Sequence, residues 1–327
     1  MKKLFSSFTF LLFSVISASA LPSIKGLSAE LFADLRGGTV HEELYGNGKQ
    51  GTYTDKLDSL LEWNYDSALL AGGRVSYKIK NFGLDFSLAA TVQASEGIMT
   101  DHDYMYNKDG QLEWSRSIHD TKVYIGESFI TPYIRIPFSF VEVRPLVSLG
   151  GGFKTFEGDK GTAYKGNPSY TSDGKFHSWD DEESAEKKVY GINYSEYSFY
   201  SFLGAEFFFD FIEGFKFSVK AALSPFTYHY AKDTHLDKTE EDQTVYESMH
   251  FCFFDRFTIS AGAYFPLSEN KALHFTYTTV TGFSRKGDMY DTWYDSLNDD
   301  YNTSRDSKQA GQSFCDTSFT AGLVLYF

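Results

Sequence analysis

Ten stretches of this chain alternate apolar with polar residues, each long enough to cross a bilayer on a slant, and this pattern limits its fold more than any other feature. They lie near residues 27–45, 57–79, 82–100, 115–136, 140–154, 191–211, 215–233, 247–266, 271–290 and 313–327. In the third, Phe82, Leu84, Phe86, Leu88, Ala90 and Val92 share one face, while Asp85, Ser87, Thr91, Gln93 and Ser95 share the other. Strand side chains point alternately to the two sides of a sheet, so one face meets lipid and the other a lumen. The second stretch divides likewise, with Trp63, Tyr65, Leu69, Ala71, Val75 and Tyr77 set against Glu62, Asn64, Asp66, Arg74, Ser76 and Lys78. Connections alternate too. Those at 80–81, 137–139, 212–214 and 267–270 are tight, and those at 46–56, 101–114, 155–190, 234–246 and 291–312 are long. Short turns on one rim and long loops on the other give the expected fold: an all-β, transmembrane, ten-stranded antiparallel up-and-down β-barrel with long extracellular loops.

No later stretch approaches the roughly 20 consecutive apolar residues of a membrane helix. Mean hydropathy is −0.33 although aromatics make up 18% of the chain. A barrel reconciles the two, because lumen residues are polar and aromatic girdles mark both interfaces; a soluble β-sandwich is the competing architecture. The chain begins Met1, Lys2, Lys3, continues apolar through Val15 and Ile16, and reaches Ala18-Ser19-Ala20, the pattern of a secretory signal peptide cleaved after Ala20. Residues 21–327 then form one barrel, with no internal repeat or linker, in the outer membrane. Loss of Lys2 and Lys3 takes the formal charge from −14 to about −16, which argues against nucleic acid and for basic partners. Acidic runs at Asp180-Asp181-Glu182-Glu183 and Asn298-Asp299-Asp300 lie on the long-loop rim, where they solvate the surface or steer a substrate. Cys252 and Cys315 fall on strands separated by a third, roughly 10 Å apart, beyond disulfide reach, so both are expected as free thiols.

Function should sit on the long-loop rim. The third strand runs up into Met99-Thr100-Asp101-His102-Asp103-Tyr104-Met105, and if its alternation persists, Asp101 and Asp103 both face the lumen. An Asp-x-Asp in an acidic loop is by itself weak. The seventh strand has Phe215, Phe217, Val219, Ala221 and Leu223 facing lipid, yet its upper aromatics Phe226, Tyr228 and Tyr230 are even-numbered. The pattern must slip by one residue, and Pro225 is where a bulge is tolerated. After the slip Asp233 and His235 face inward. Strands three and seven stand four apart in a ring of ten, so the two pairs oppose each other across the mouth. A histidine oriented by a carboxylate can take a proton from water that a second carboxylate holds, which suits hydrolysis without a covalent intermediate.

Here the chain resembles the omptins, ten-stranded outer-membrane endopeptidases. The resemblance is closest in Leu61-Glu62-Trp63-Asn64-Tyr65-Asp66-Ser67-Ala68-Leu69-Leu70, in 99–105, in Ser115-Arg116 through His119-Asp120-Thr121, and in Asp233-Thr234-His235. It implies that Asp233 and His235 act as a dyad, that Asp101 and Asp103 help activate the water, and that Glu42, anchored by Tyr45, recognises a basic side chain of the substrate. Alternation along strand one independently turns Glu42 inward and Glu43 outward. The chain departs from the family at Ala231, where the family has an acidic residue, at Tyr104 in place of Trp, and in the loop from Phe156 to Tyr190. A transition metal among His102, His119, His235 and the aspartates is set aside, because His102 has outward parity and the ligands lack compact spacing. No cofactor is expected. Basic peptides or proteins are the expected substrates and outer-membrane lipid the surroundings, with the site facing the cell exterior. The alternatives are a noncatalytic barrel acting as adhesin or structural protein, and a porin, which lumenal Glu30, Arg36, Glu62, Arg74 and Lys78 would plug.

Overall fold

A computed structural model of the chain describes residues 24–46, 56–107, 110–166, 173–175, 177–212, 214–236, 243–295 and 300–327. The expected signal peptide, residues 1–20, lies outside them, as do Asn298 and Asp299 of the last acidic run. Every regular element described is a strand: β1 (Leu27–Tyr45), β2 (Leu57–Ile79), β3 (Phe82–Gln93), β4 (Ser95–Asn107), β5 (Gly110–Ile134), β6 (Ile136–Pro137), β7 (Val141–Gly158), β8 (Gly161–Lys165), β9 (Ala185–Val189), β10 (Ile192–Ile212), β11 (Phe215–His235), β12 (Thr244–Cys252), β13 (Arg256–Ser268), β14 (Lys271–Asp295) and β15 (Asp300–Tyr326). All pair antiparallel, and the sheet closes on itself because β1 pairs with both β2 and β15. Strands β3 and β4 make one wall interrupted at Ala94, and β12 and β13 another interrupted at Phe253–Asp255. The result is a ring of ten walls.

Several walls outrun their expected ends. The loops expected at 101–114 and 291–312 are largely paired strand: β4 and β5 stay paired from Asp103↔Ser115, through a register shift at Tyr104↔Glu113, to Asn107↔Gly110, and β14 and β15 from Met289↔Asp306 to Asp295↔Asp300. Extending a ladder satisfies backbone donors that an irregular loop would leave to solvent. Within 155–190, β8 and β9 form a hairpin, and β8 continues the sheet along β5.

Two bulges decide which side chains face the lumen. On β11 the register with β10 passes from Leu203↔Leu223 to Ser201↔Phe226, so the extra residue falls at Ser224–Pro225, where the slip was expected. On β2 the register with β1 passes from Arg36↔Ala68 to Gly38↔Tyr65, an extra residue at Asp66–Ser67 that the alternation did not reveal. Above that bulge the parity of β2 reverses. Trp63 and Tyr65, expected on the lipid face, are buried in the lumen, while Glu62 bonds Asn64 and His41 on the outer face and plugs nothing.

Outside, an apolar belt encircles the ring. On β3, Phe82, Leu84, Phe86, Leu88 and Val92 are all exposed. The twelve residues of that strand, rising about 3.3 Å each at a tilt of about 40°, span about 30 Å, the thickness of a bilayer's hydrocarbon. Inside, the lumen is filled in layers. At the short-turn end a cavity of about 610 Å³ is lined by charged groups including Arg74, Lys78, Lys220 and Glu206. Above it the Arg36 guanidinium bridges Asp34 at 2.8 Å and Glu127 at 2.6 Å, and Lys154 meets Asp316 at 2.9 Å. Higher still, Trp63, Phe156 and Tyr194 pack with ring centroids 5.2, 5.5 and 6.1 Å apart, joined by Val40, Met99 and Val123. Cys252 on β12 and Cys315 on β15 are free thiols with β14 between them.

Candidate functional site

The aromatic layer is the floor of a cleft on the long-loop side, above the apolar belt. Asp233 is placed there by the β11 bulge, which keeps odd-numbered residues inward: Thr227, His229, Ala231 and Asp233 are buried, whereas Tyr228 is exposed. His235 Nε2 donates to Asp233 Oδ2 at 2.8 Å. Asp233 is 3% exposed while His235 keeps 38%, so the dyad is rooted in protein and opens to water. Because the bond runs through Nε2, Nδ1 is the nitrogen left for solvent. The second Asp233 oxygen, Oδ1, is buried without a partner.

Asp101 and Asp103 rise on β4, four walls away. The break at Ala94 leaves their parity intact, since Ser95 and Met99 are buried and Ile98 is exposed. Ser59 Oγ donates to Asp101 Oδ1 at 3.3 Å, and Ser115 hydrogen-bonds Asp103. The two pairs act on each other across the cleft. Burial opposes the charge on His235, but the Asp233 charge and hydrogen bond, followed by the charges of Asp101 and Asp103, hold its pKa at about 9. Burial, then the charge of Asp103, pushes Asp101 up to about 8, against the opposing pull of His235. Asp103 is likewise raised, by burial first.

Glu42 completes the cluster. Register sets Glu42 opposite Leu61 and Leu61 opposite Asp101, one line across three walls. Its Oε2 is buried and unpartnered. Burial, then the charges of Asp233, Asp101 and Glu196, drives its pKa well above the carboxylate range. A carboxylate crowded by others in this way, and itself unpartnered, favours either a proton or a positively charged guest.

Four neighbours escaped sequence reasoning. Tyr246 stands opposite Asp233 on β12 and sets its ring edge-on to His235 at 5.2 Å. Gln312 lies opposite Glu42 on β15 and donates to Tyr194 Oη at 2.9 Å and to Glu196, which in turn faces Ala231 across β10 and β11. Ser59 is the fourth. Only strand register reveals them, and register depends on bulges. His102 and His119 take their hydrogen bonds outside the cluster: His102 bonds Glu113 at 2.7 Å, and buried His119 bonds Ser117 at 3.0 Å and the Asp159 carbonyl at 2.9 Å. Among the described residues no group of three or more His, Cys, Asp or Glu is arranged to hold a metal ion.

No protein-family model and no curated protein matches the sequence. Solved structures do match the fold. The outer membrane protease OmpT of Escherichia coli superposes with a TM-score of 0.78 at 17% identity, covering 94% of this chain and 99% of that one. The translocator domain of the autotransporter NalP from Neisseria meningitidis reaches 0.34 at 11% identity, over 100% of this chain and 97% of that one. The Pseudomonas putida toluene transporter TodX reaches 0.32 at 10% identity, over 93% and 90%. The likeness to OmpT is one of fold: an all-antiparallel ring closed by ten walls.

Proposed function

We propose that this chain is an omptin-like endopeptidase, a transmembrane ten-stranded β-barrel of the outer membrane whose cleft faces the cell exterior and cuts peptide bonds near basic residues. One observation carries the reading: an imidazole bonded through Nε2 to a buried carboxylate, with two further carboxylates on an opposite wall acting on it. The apolar belt supports the membrane setting, and the fold shared with OmpT supports the peptidase setting.

In the proposed reaction a water sits between His235 Nδ1 and the Asp101–Asp103 pair. Nδ1 takes its proton as the water oxygen bonds to the scissile carbonyl carbon, and Asp233 stabilises the imidazolium. The Asp101–Asp103 pair accepts a hydrogen bond from the water and aims its oxygen at the carbonyl carbon. His235 then gives its proton to the leaving nitrogen as the carbon–nitrogen bond breaks, and the chain needs no covalent intermediate. Glu42, short of a partner, receives a lysine or arginine side chain of the substrate.

The test is cleavage of a basic peptide library by refolded protein. His235→Ala should lower kcat by about 10²–10⁴-fold with the barrel intact. A folded wild-type barrel that cleaves no member of the library would overturn the peptidase reading. A noncatalytic adhesin is the second reading, favoured by Ala231, an apolar residue at a buried position facing the cleft where the omptins have an acid. Under it, His235→Ala leaves binding of basic proteins unchanged and there is no turnover to lose.

A further inference from the structure

Below the cleft, where β11, β12 and β13 meet side chains of β14 and β15, a small space of about 10 Å³ lies among His229, His250, Cys252, Asp255, Arg256, Arg285, Gln312 and Phe314. Three of these residues bring a buried nitrogen with no hydrogen-bond partner: His229 Nε2, His250 Nε2 and Arg256 Nε. All three side chains are more than nine-tenths buried, at 3%, 3% and 7% exposure. Native proteins rarely leave one such group orphaned, and three around one space need a common explanation.

The charge balance narrows it. Arg256 is permanently cationic, and among the described residues no carboxylate lies within ion-pair distance of it. Its guanidinium lies over the rings of Tyr200 and Phe314, at 4.2 and 4.5 Å, and the nearby Asp255 accepts from Thr227 at 2.8 Å. A buried charge without a counter-ion is costly. The protein supplies donors as well. Ser198 Oγ and His229 Nδ1 are 2.9 Å apart, so a hydroxyl donating there leaves the proton of that ring on Nε2, as a donor into the space. His250 meets His229 edge-on with centroids 5.7 Å apart, and its other nitrogen is bonded to the Arg285 backbone.

We propose that this space is a binding site for one monatomic anion, a halide such as chloride, held by the Arg256 Nε–H and His229 Nε2–H donors. About 10 Å³ is the room one water-sized particle needs, so sulfate, phosphate and carboxylates are too large. A metal cation would face Arg256 and Arg285 and is disfavoured. The site is distinct from the cleft, to which Gln312 connects it: the same side chain lines the space and donates to Glu196 and Tyr194.

The experiment uses the full barrel, refolded in a neutral detergent, with its unfolding midpoint followed in sodium chloride, sodium bromide and sodium sulfate at matched ionic strength. Chloride and bromide should raise the midpoint by several degrees in a saturable way, beyond what sulfate gives. Arg256→Met should abolish the difference between halide and sulfate. Because that variant could fail to fold, bromide-soaked crystals of the wild-type protein supply a second reading: an anomalous peak within hydrogen-bond distance of Arg256 Nε. Equal midpoints in all three salts together with a water peak at that position would overturn the proposal.

Discussion

His235 holds its proton to about 9, against an ordinary 6.5, and Asp101 to about 8, against 3.8. Both groups keep protons that an unfolded chain would release, so each contributes most to stability in acid. The share from His235 is complete below about 6.5 and is lost as pH climbs through about 9; that from Asp101 is complete below about 3.8 and is lost through about 8. Catalysis needs the opposite state, because Nδ1 must be bare to accept a proton. Under the proposed peptidase activity, kcat/KM should therefore rise with pH between about 7 and 9, with an apparent value that belongs to the coupled groups rather than to one residue. The Asp101 charge is one of the forces that raise His235, so in Asp101→Asn the remaining activity should rise at a lower pH than in wild type. A profile displaced upward in that variant would contradict the electrostatic link across the cleft.

At the scale of the strand, one inserted residue decides whether a side chain joins the site. The bulge at Ser224–Pro225 turns Asp233 and His235 inward; without it, the lower parity of β11 would carry them to the outer face. Deleting Pro225 removes the extra residue and should yield a folded ring with no turnover, whereas Pro225→Ala keeps the residue count and should keep most activity. Peptidase assays on barrels shown to be folded by resistance to denaturation in detergent would separate the two. This bulge was legible in the sequence because aromatics change parity on either side of a proline. The bulge at Asp66–Ser67 was not, since Trp63 and Tyr65 suit both an interfacial girdle and a lumenal floor, and apolar residues on both sides of it hide the reversal. Glu42, Asp101, Asp103, Asp233 and His235 were thus placeable from alternation plus resemblance. Tyr246, Gln312 and Glu196 required the register of walls far apart in sequence, which no local pattern encodes. The paired strands within 101–114 and 291–312 were expected as loops because polar composition describes a solvated strand ladder as well as an irregular loop.

Across the whole molecule the lumen is packed rather than open, and its layers explain why a ring of this size can carry a site instead of a channel. The aromatic floor of Trp63, Phe156 and Tyr194 separates the cleft from the ion pairs beneath, and those pairs separate the floor from the cavity at the short-turn end. Lys154 and Asp316 brace this arrangement, because they join β7 to β15 across the ring and are only 6% and 13% exposed. Asp316 also accepts from Tyr65 Oη at 2.7 Å, which fixes the floor to the pair. Replacing Asp316 with Ala leaves a buried ammonium and a buried phenol short of an acceptor, a loss of about 3–5 kcal/mol by the usual behaviour of a broken buried pair. The guanidinium midpoint of the refolded barrel should fall accordingly, and the cleft should lose activity as its floor loosens. An apolar pair of similar volume, Lys154→Met with Asp316→Leu, removes both charges together and should recover most of the stability. If Asp316→Ala unfolds at the wild-type midpoint, the pair does not brace the lumen and the floor of the cleft is held by aromatic packing alone.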